Sequence, residues 1–185
     1  SSKGYCMSIK PYSFFSQRFL RIGLLSVVTV SLGACATYRD IAPNSPVHEV
    51  LARMGQPSLT CPKDDGGGRL VWSYQPYGQY GYGANVSKEG IVERVESVLT
   101  DTYFRRLDSG TWTQQDVVCE FGPPAETSRL GLGEQNALIW SYRYKQGNAW
   151  NSLMHVYFGG DGSKVTRYHS GPDPLYEVDD WMGLW

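Results

Sequence analysis

This sequence has few histidines, no excess of basic residues and none of the common catalytic or nucleotide-binding motifs, and each absence excludes a class of function. Only three histidines occur among 185 residues, and no two of them have the spacing of a metal pair on one helix. Basic residues number 17 and acidic residues 18, so the chain lacks the positive excess of a nucleic-acid-binding protein. No P-loop, EF-hand or Gly-x-Ser-x-Gly motif occurs. The sequence therefore predicts a non-catalytic protein without a metal or cofactor.

The longest apolar run lies near the beginning, over residues 22–32, behind a basic stretch. It is too short to span a bilayer, and this order is typical of a bacterial secretory leader. The run ends in Leu32-Gly33-Ala34-Cys35, which resembles the lipobox of bacterial lipoproteins. We predict a leader over residues 1–34, of which 1–6 precede Met7 as a scar or misplaced start, and a tether over 35–45.

The lipobox resemblance implies that Cys35 is lipidated and becomes the mature N-terminus. Because Ala36 and not aspartate follows it, the resemblance also implies sorting to the periplasmic side of the outer membrane, given a Gram-negative source. Lys3, Lys10, Arg18 and Arg21 precede Cys35, so 17 − 4 = 13 basic residues remain against 18 acidic ones. Membrane attachment is therefore expected from the lipid and not from surface charge. An ordinary signal peptide with an incidental cysteine is the alternative.

One pattern, a short helix, a Gly-x-Pro corner and a Trp-Ser-Tyr strand, occurs twice after the tether. The first copy has Gly55 and Trp72, and the second has Gly122 and Trp140, at offsets of 122 − 55 = 67 and 140 − 72 = 68. Rare residue types that match in order at a nearly constant offset indicate an internal duplication. Two unrelated helix-strand junctions are the alternative. The predicted units are a first repeat over 46–103, a second repeat over 104–174, and an aromatic, acidic tail over 175–185.

Capping residues mark both helices. In the second copy Thr113 and Asp116 predict a capped start, and Gly122 predicts the end. In the first copy Ser45 and Pro46 predict the start, and Gly55 the end. Helices this short do not stand alone, so each must pack on a sheet that contains the Trp-Ser-Tyr strand. The sequence predicts an α+β fold of two tandem repeats, each a short helical segment on a small antiparallel sheet, with Trp72 and Trp140 in the cores.

The second copy supports a resemblance to a known family. The stretch from Gly110-Thr111-Trp112 through Gly122-Pro123-Pro124, followed by Trp140-Ser141-Tyr142 and Asp161-Gly162-Ser163, resembles the SmpA/OmlA family of BamE-like lipoproteins. The resemblance covers most of residues 46–170 as two copies, and it implies a protein-binding or assembly-accessory module of the outer membrane. The implied partner is an envelope protein, with the outer-membrane assembly machinery as the candidate that the resemblance offers. The doubled architecture is also similar to the β-lactamase inhibitory proteins, so a tandem inhibitor of an envelope enzyme is the alternative.

Two sets of residues outside the repeated pattern complete the predictions. Cys61 and Cys119 are the two thiols left once Cys35 carries lipid, and we predict a disulfide between them, with independent buried thiols as the alternative. The glycine- and tyrosine-rich stretch between Tyr74 and Gly90 predicts a long, mobile hairpin tip. The predicted partner-binding residues are Tyr77, Tyr80 and Tyr82 in this tip and Trp181 and Trp185 in the tail. A loop that contacts nothing is the alternative for the tip.

Overall fold

The computed structural model describes residues 38–131 and 136–181, with side chains up to residue 177 in the last segment. Both predicted repeats fall within one compact unit, Cys35–Trp185. The predicted leader, the lipidation candidate Cys35 and the tail residue Trp185 lie outside the described residues, and the side chain of Trp181 does as well.

Four α-helices and nine strands make up the described chain. The helices are α1 (Val47–Met54), α2 (Asp101–Phe104), α3 (Gln114–Phe121) and α4 (Pro174–Trp181), with short 3-10 helices at Tyr38–Asp40 and Arg105–Asp108. The first five strands are β1 (Ser45–Pro46), β2 (Leu59–Pro62), β3 (Gly68–Ser73), β4 (Gly81–Val86) and β5 (Ile91–Ser97). The other four are β6 (Glu126–Leu130), β7 (Ala137–Gln146), β8 (Trp150–Phe158) and β9 (Val165–Pro172).

The strands form two antiparallel sheets that follow the same plan. The first has the order β1-β5-β4-β3-β2 and the second the order β6-β7-β8-β9, so four consecutive strands form a meander in each. Each meander follows an eight-residue helix, and both bounds of α3 lie 67 positions beyond those of α1 (114 − 47 and 121 − 54). The predicted α+β fold class is confirmed, and the two sheets fit a two-repeat arrangement.

Local side-chain chemistry accounts for the helix ends. The side chain of Thr113 accepts a bond from the Asp116 amide, and the Asp116 carboxylate accepts one from the Thr113 amide at 2.8 Å, which completes a capping box. Gly122 ends α3 at φ 88° and Gly55 ends α1 at φ 76°, a backbone region that favours glycine. The start of α1 differs from the expectation, because Pro46 is its N-cap without a side-chain bond while the Ser45 hydroxyl donates to the carbonyl of Ala42.

The first sheet and α1 enclose the first core. Its buried members are Val50, Leu70, Trp72, Ala84, Val92 and Val95. Trp72 is buried, and its indole N–H donates to the Gly55 carbonyl at 3.0 Å, so the strand is tied to the end of α1. The second core is formed by β7, β8, α2 and α3. There Trp140 is only partly buried and packs against Phe158 with ring centroids 4.9 Å apart, so the two tryptophans share a position in the pattern but not the same burial.

Helix α3 belongs to both halves of the molecule. Val117 and Phe121 are fully buried in the second core, whereas Cys119 is joined by a disulfide to Cys61 on β2 of the first sheet. Cys61 and Cys119 are the two cysteines for which the sequence analysis predicts a disulfide. Between helix and sheet the buried Arg69 donates to the hydroxyl of Tyr103 at 2.6 Å and lies 3.4 Å from the carboxylate of Glu120. The disulfide and this charged cluster therefore fix the second repeat's helix onto the first repeat's sheet.

Candidate interaction surface at the hairpin tips

The loop that joins β3 to β4, residues 74–80, is closed by its own hydrogen bonds. The amide of Gly78 donates to the carbonyl of Tyr74 at 2.7 Å, and the side-chain amide of Gln75 donates to the carbonyl of Gly78 at 2.9 Å. The Gln75-Pro76 peptide bond is cis. A Cβ atom at position 78 would lie 2.5 Å from the Cβ of Tyr74, so only glycine fits there. The internal hydrogen bonds and the close contact at Gly78 hold the loop backbone in this conformation.

The same loop is bonded to the second sheet. Gln75 donates to the carbonyl of Arg143 at 2.8 Å and accepts from its amide at 3.2 Å, so a side-chain amide pairs with β7 as a strand would. The Arg143 guanidinium donates to the carbonyl of Pro76 at 2.8 Å. Gln79, only 7% exposed, donates to the side-chain oxygen of Asn151 on β8 at 2.8 Å. These contacts hold the tip of the first hairpin against the second sheet.

Arg143 is itself held by two carboxylates. Its Nε lies 3.0 Å from Oδ2 of the fully buried Asp173, an ion pair without hydrogen-bond geometry, and a second guanidinium nitrogen binds Glu126. These two carboxylates hold the guanidinium that receives the loop. Removing the buried Asp173 carboxylate would leave an uncompensated charge on Arg143.

The tip of the second hairpin lies beside the first. The Asp101 carboxylate accepts the hydroxyl of Tyr144 at 2.9 Å and the amide of Gly147 at 2.8 Å, which ties the β7–β8 turn to the segment that links the sheets. The ammonium group of Lys145 donates to the side chain of Asn151, the residue that also receives Gln79. Both hairpin tips are thus fixed at one end of the molecule.

Four large aromatic side chains remain exposed at this end. Tyr74, Tyr77 and Tyr80 on the first loop are 58%, 78% and 51% exposed, and Trp150 at the second tip is 75% exposed. We call these four residues the tip surface. A cleft of about 590 Å³ lies beside it, and its lining includes Tyr38, Arg39, Tyr80, Tyr82, Lys145 and Asn148.

Tyr82 lies in β4 and not in the loop. Its ring packs on the first core, with a centroid 4.4 Å from that of Tyr38 and 6.1 Å from that of Tyr74. Burial, together with the neighbouring Tyr38, raises the pKa of Tyr82. The predicted tip from Tyr74 to Gly90 is therefore wrong in its extent, because residues 81–86 form a strand and only 74–80 form the loop.

Sequence reasoning missed Trp150 as an exposed residue. A tryptophan in a strand next to a turn resembles the other strand tryptophans, and only its place at the first position of β8 indicates that it lies beyond the core. Tyr77 and Tyr80 of the predicted partner-binding set lie on the tip surface. Of the two tail tryptophans only the backbone of Trp181 is described, in α4.

One polar cluster invites a catalytic interpretation. Glu126, Ser141, His155 and His169 occupy register-matched positions across the second sheet. The hydroxyl of Ser141 lies 2.8 Å from Nδ1 of His155, and the two imidazole centroids are 5.4 Å apart. Partial burial, and then the neighbouring His169, lower the pKa of His155. Ser141 is only 4% exposed, whereas His155 is half-buried and Glu126 and His169 are exposed. Across the described chain, no three or more His, Cys, Asp or Glu residues are grouped to hold a metal ion.

Comparisons with known proteins leave the family open. No family model matches this chain. No curated protein matches its sequence. Among solved structures the chain is similar to the crystal structure of a DUF4309 family protein (YjgB) from Bacillus subtilis subsp. subtilis str. 168, at a TM-score of 0.26 and 17% identity, over 70% of this chain and 79% of that one. A likeness at this TM-score carries no weight for function. Within residues 38–131 and 136–181, no helix is long and apolar enough to cross a membrane.

Proposed function

We propose that this chain is a lipoprotein of the outer membrane, anchored through Cys35 on the periplasmic side. In this proposal it acts as a non-catalytic binding module that supports protein assembly in the cell envelope. The tip surface is its interaction surface and is covered in the cell, and an envelope protein is the expected partner of the module. One observation carries the proposal: large aromatic side chains are exposed on a loop whose backbone is held in place.

The contrast within the loop is what favours a binding role. Its polar side chains, Gln75 and Gln79, are used in bonds to the second sheet, while Tyr77 and Tyr80 stay in solvent. Aromatic rings carry most of the binding energy at protein surfaces, and exposed apolar groups are otherwise a solubility cost. Because the loop is already ordered, a partner that covers the rings has little conformational entropy to remove.

Two further features support an exported, non-catalytic protein. A disulfide between Cys61 and Cys119 is typical of a chain that folds in an oxidising compartment such as the periplasm. The Ser141 and His155 pair is the arrangement closest to a nucleophile with its base, and Ser141 itself is only 4% exposed.

Thiol labelling in intact cell envelopes tests whether the tip surface is covered. Tyr77→Cys introduces a thiol on the tip surface, and Lys88→Cys introduces a matched thiol in the turn at the other end of β4, where the Lys88 side chain is 71% exposed. We expect the thiol at 77 to react slowly in envelopes and rapidly in detergent-purified protein, whereas the thiol at 88 reacts rapidly in both. Equal reaction of the two thiols in envelopes would contradict a covered tip surface.

A further inference from the structure

The first residues that the structure describes lie at the tip surface. The ring of Tyr38 packs on Tyr82 with centroids 4.4 Å apart, and Tyr38 and Arg39 line the cleft beside Tyr80. Cys35 precedes Tyr38 by three positions. A peptide chain extends at most about 3.6 Å per residue, so these three positions reach about 11 Å. Acyl chains on Cys35 would therefore hold this end of the molecule, and no other, next to the bilayer.

The chemistry of the tip surface fits the headgroup layer of a membrane. Tyrosine and tryptophan concentrate at membrane interfaces, because their apolar rings and polar atoms match the two sides of that layer. Two cations, Arg39 and Lys145, line the adjoining cleft, and among the described residues neither forms an ion pair. Asp101, which also lines it, has both carboxylate oxygens bonded to neutral donors, Tyr144 and Gly147. The two cations are available for lipid phosphates.

We propose that the lipid bilayer itself covers the tip surface, with Tyr77, Tyr80 and Trp150 at headgroup depth. This inference rests on the proposed lipidation of Cys35. The first sheet then stands on the membrane, since β4 runs from the tip to the turn at residues 87–90 and six residues of strand span about 20 Å. That turn and the outer parts of both sheets face the periplasm, where a protein partner has access to them.

Fluorescence depth measurement on the acylated full-length protein tests this orientation. After lipidation of Cys35 and formation of the disulfide, a cysteine introduced by Tyr77→Cys is the single free thiol of the mature chain and accepts an environment-sensitive dye. Lys88→Cys provides the matched control at the far turn. Both proteins are reconstituted in phosphatidylcholine and phosphatidylserine vesicles that contain a lipid with a nitroxide headgroup, and circular dichroism verifies that each variant is folded.

The proposal predicts a blue-shifted emission and a several-fold greater nitroxide quenching for the dye at position 77 than for the dye at position 88. Equal quenching at the two positions would overturn the orientation and leave the lipoprotein proposal standing. An unquenched dye at 77, together with protection of the same position in cell envelopes, would overturn it in favour of a protein cover. Absence of acyl chains on Cys35, read from the intact mass, would refute the proposed function and this inference with it.

Discussion

Replacing Cys61 and Cys119 together by alanine should lower the free energy of unfolding by about 4 kcal/mol. The disulfide joins positions 58 residues apart, and the chain-entropy model assigns this cost to a loop of that length in the unfolded chain. Most domains have a total stability of roughly 5–15 kcal/mol, so the variant should be strongly weakened.

The folded structure should survive this change, because other contacts hold α3 on the first sheet. Arg69 pairs with Tyr103 and Glu120, and the close approach of Gly122 to Val71 and Ser73 persists without the disulfide. Urea titration measures both consequences. We expect a lower midpoint together with a larger m-value, because the unfolded chain exposes more surface once the crosslink is gone. Reduction of the unaltered protein provides the matched control and should reproduce both effects.

A loss below about 1 kcal/mol, with an unchanged m-value, would refute the view that the disulfide acts on the unfolded chain. Loss of the folded state under conditions where the reduced protein stays folded would instead assign the effect to the alanine substitutions and not to the crosslink.

Three further predictions concern single residues. Trp72→Ala should cost about 3–5 kcal/mol in urea titration and Trp140→Ala clearly less, because only Trp72 is buried and bonded to a helix end; equal costs would contradict this. Gly83→Ala should lower the free energy of unfolding by about 1–3 kcal/mol, since the added Cβ would lie 2.4 Å from the guanidinium of Arg69. An unchanged stability would show that the Arg69 side chain moves aside freely. The pKa of His155 is lowered in the folded state, so the unfolded state binds more protons and the free energy of unfolding should fall as the pH drops below about 6.5. His155→Gln should flatten this pH dependence. An identical pH profile in the variant would refute the assignment of the effect to His155.

The elements that could be predicted are those with signals in neighbouring residues. Thr113, Asp116 and Gly122 mark the bounds of α3 because each acts within one helical turn of where it stands. The recurrence of the glycine and tryptophan positions likewise indicates two similar units without any knowledge of contacts. Such signals are local, so they fix elements and their order but not how one unit packs on the other.

The strand β4 shows why part of the first sheet was missed. Its alternating glycines suggest a flexible loop, yet Gly81 and Gly83 lie on one face of the strand and make room for Leu99, Val98 and Arg69. Tyr82 points to the other face, into the first core. The spacing of two between the glycines was the available signal, because it matches the period of a strand with close packing on one side.

The anchoring of the tip had no comparable signal. Gln75 and Arg143 are 68 positions apart, and Gln79 and Asn151 are 72 apart. Nothing in the chemistry of a glutamine indicates which distant backbone group it will bind. The sequence could therefore point to Tyr77 and Tyr80 as exposed aromatic residues, but not to the hydrogen bonds of the loop or to the neighbouring Trp150 that make them one surface.

Labelling with radioactive palmitate tests the central claim, which is that the chain is held at a membrane through Cys35. In a Gram-negative host the unaltered protein should incorporate the label and sediment with the membranes. Cys35→Ser should carry no label and should appear in the soluble fraction, with Cys61 and Cys119 unchanged as the internal control. Continued labelling of the Cys35→Ser protein, or no labelling of the unaltered protein, would contradict the account.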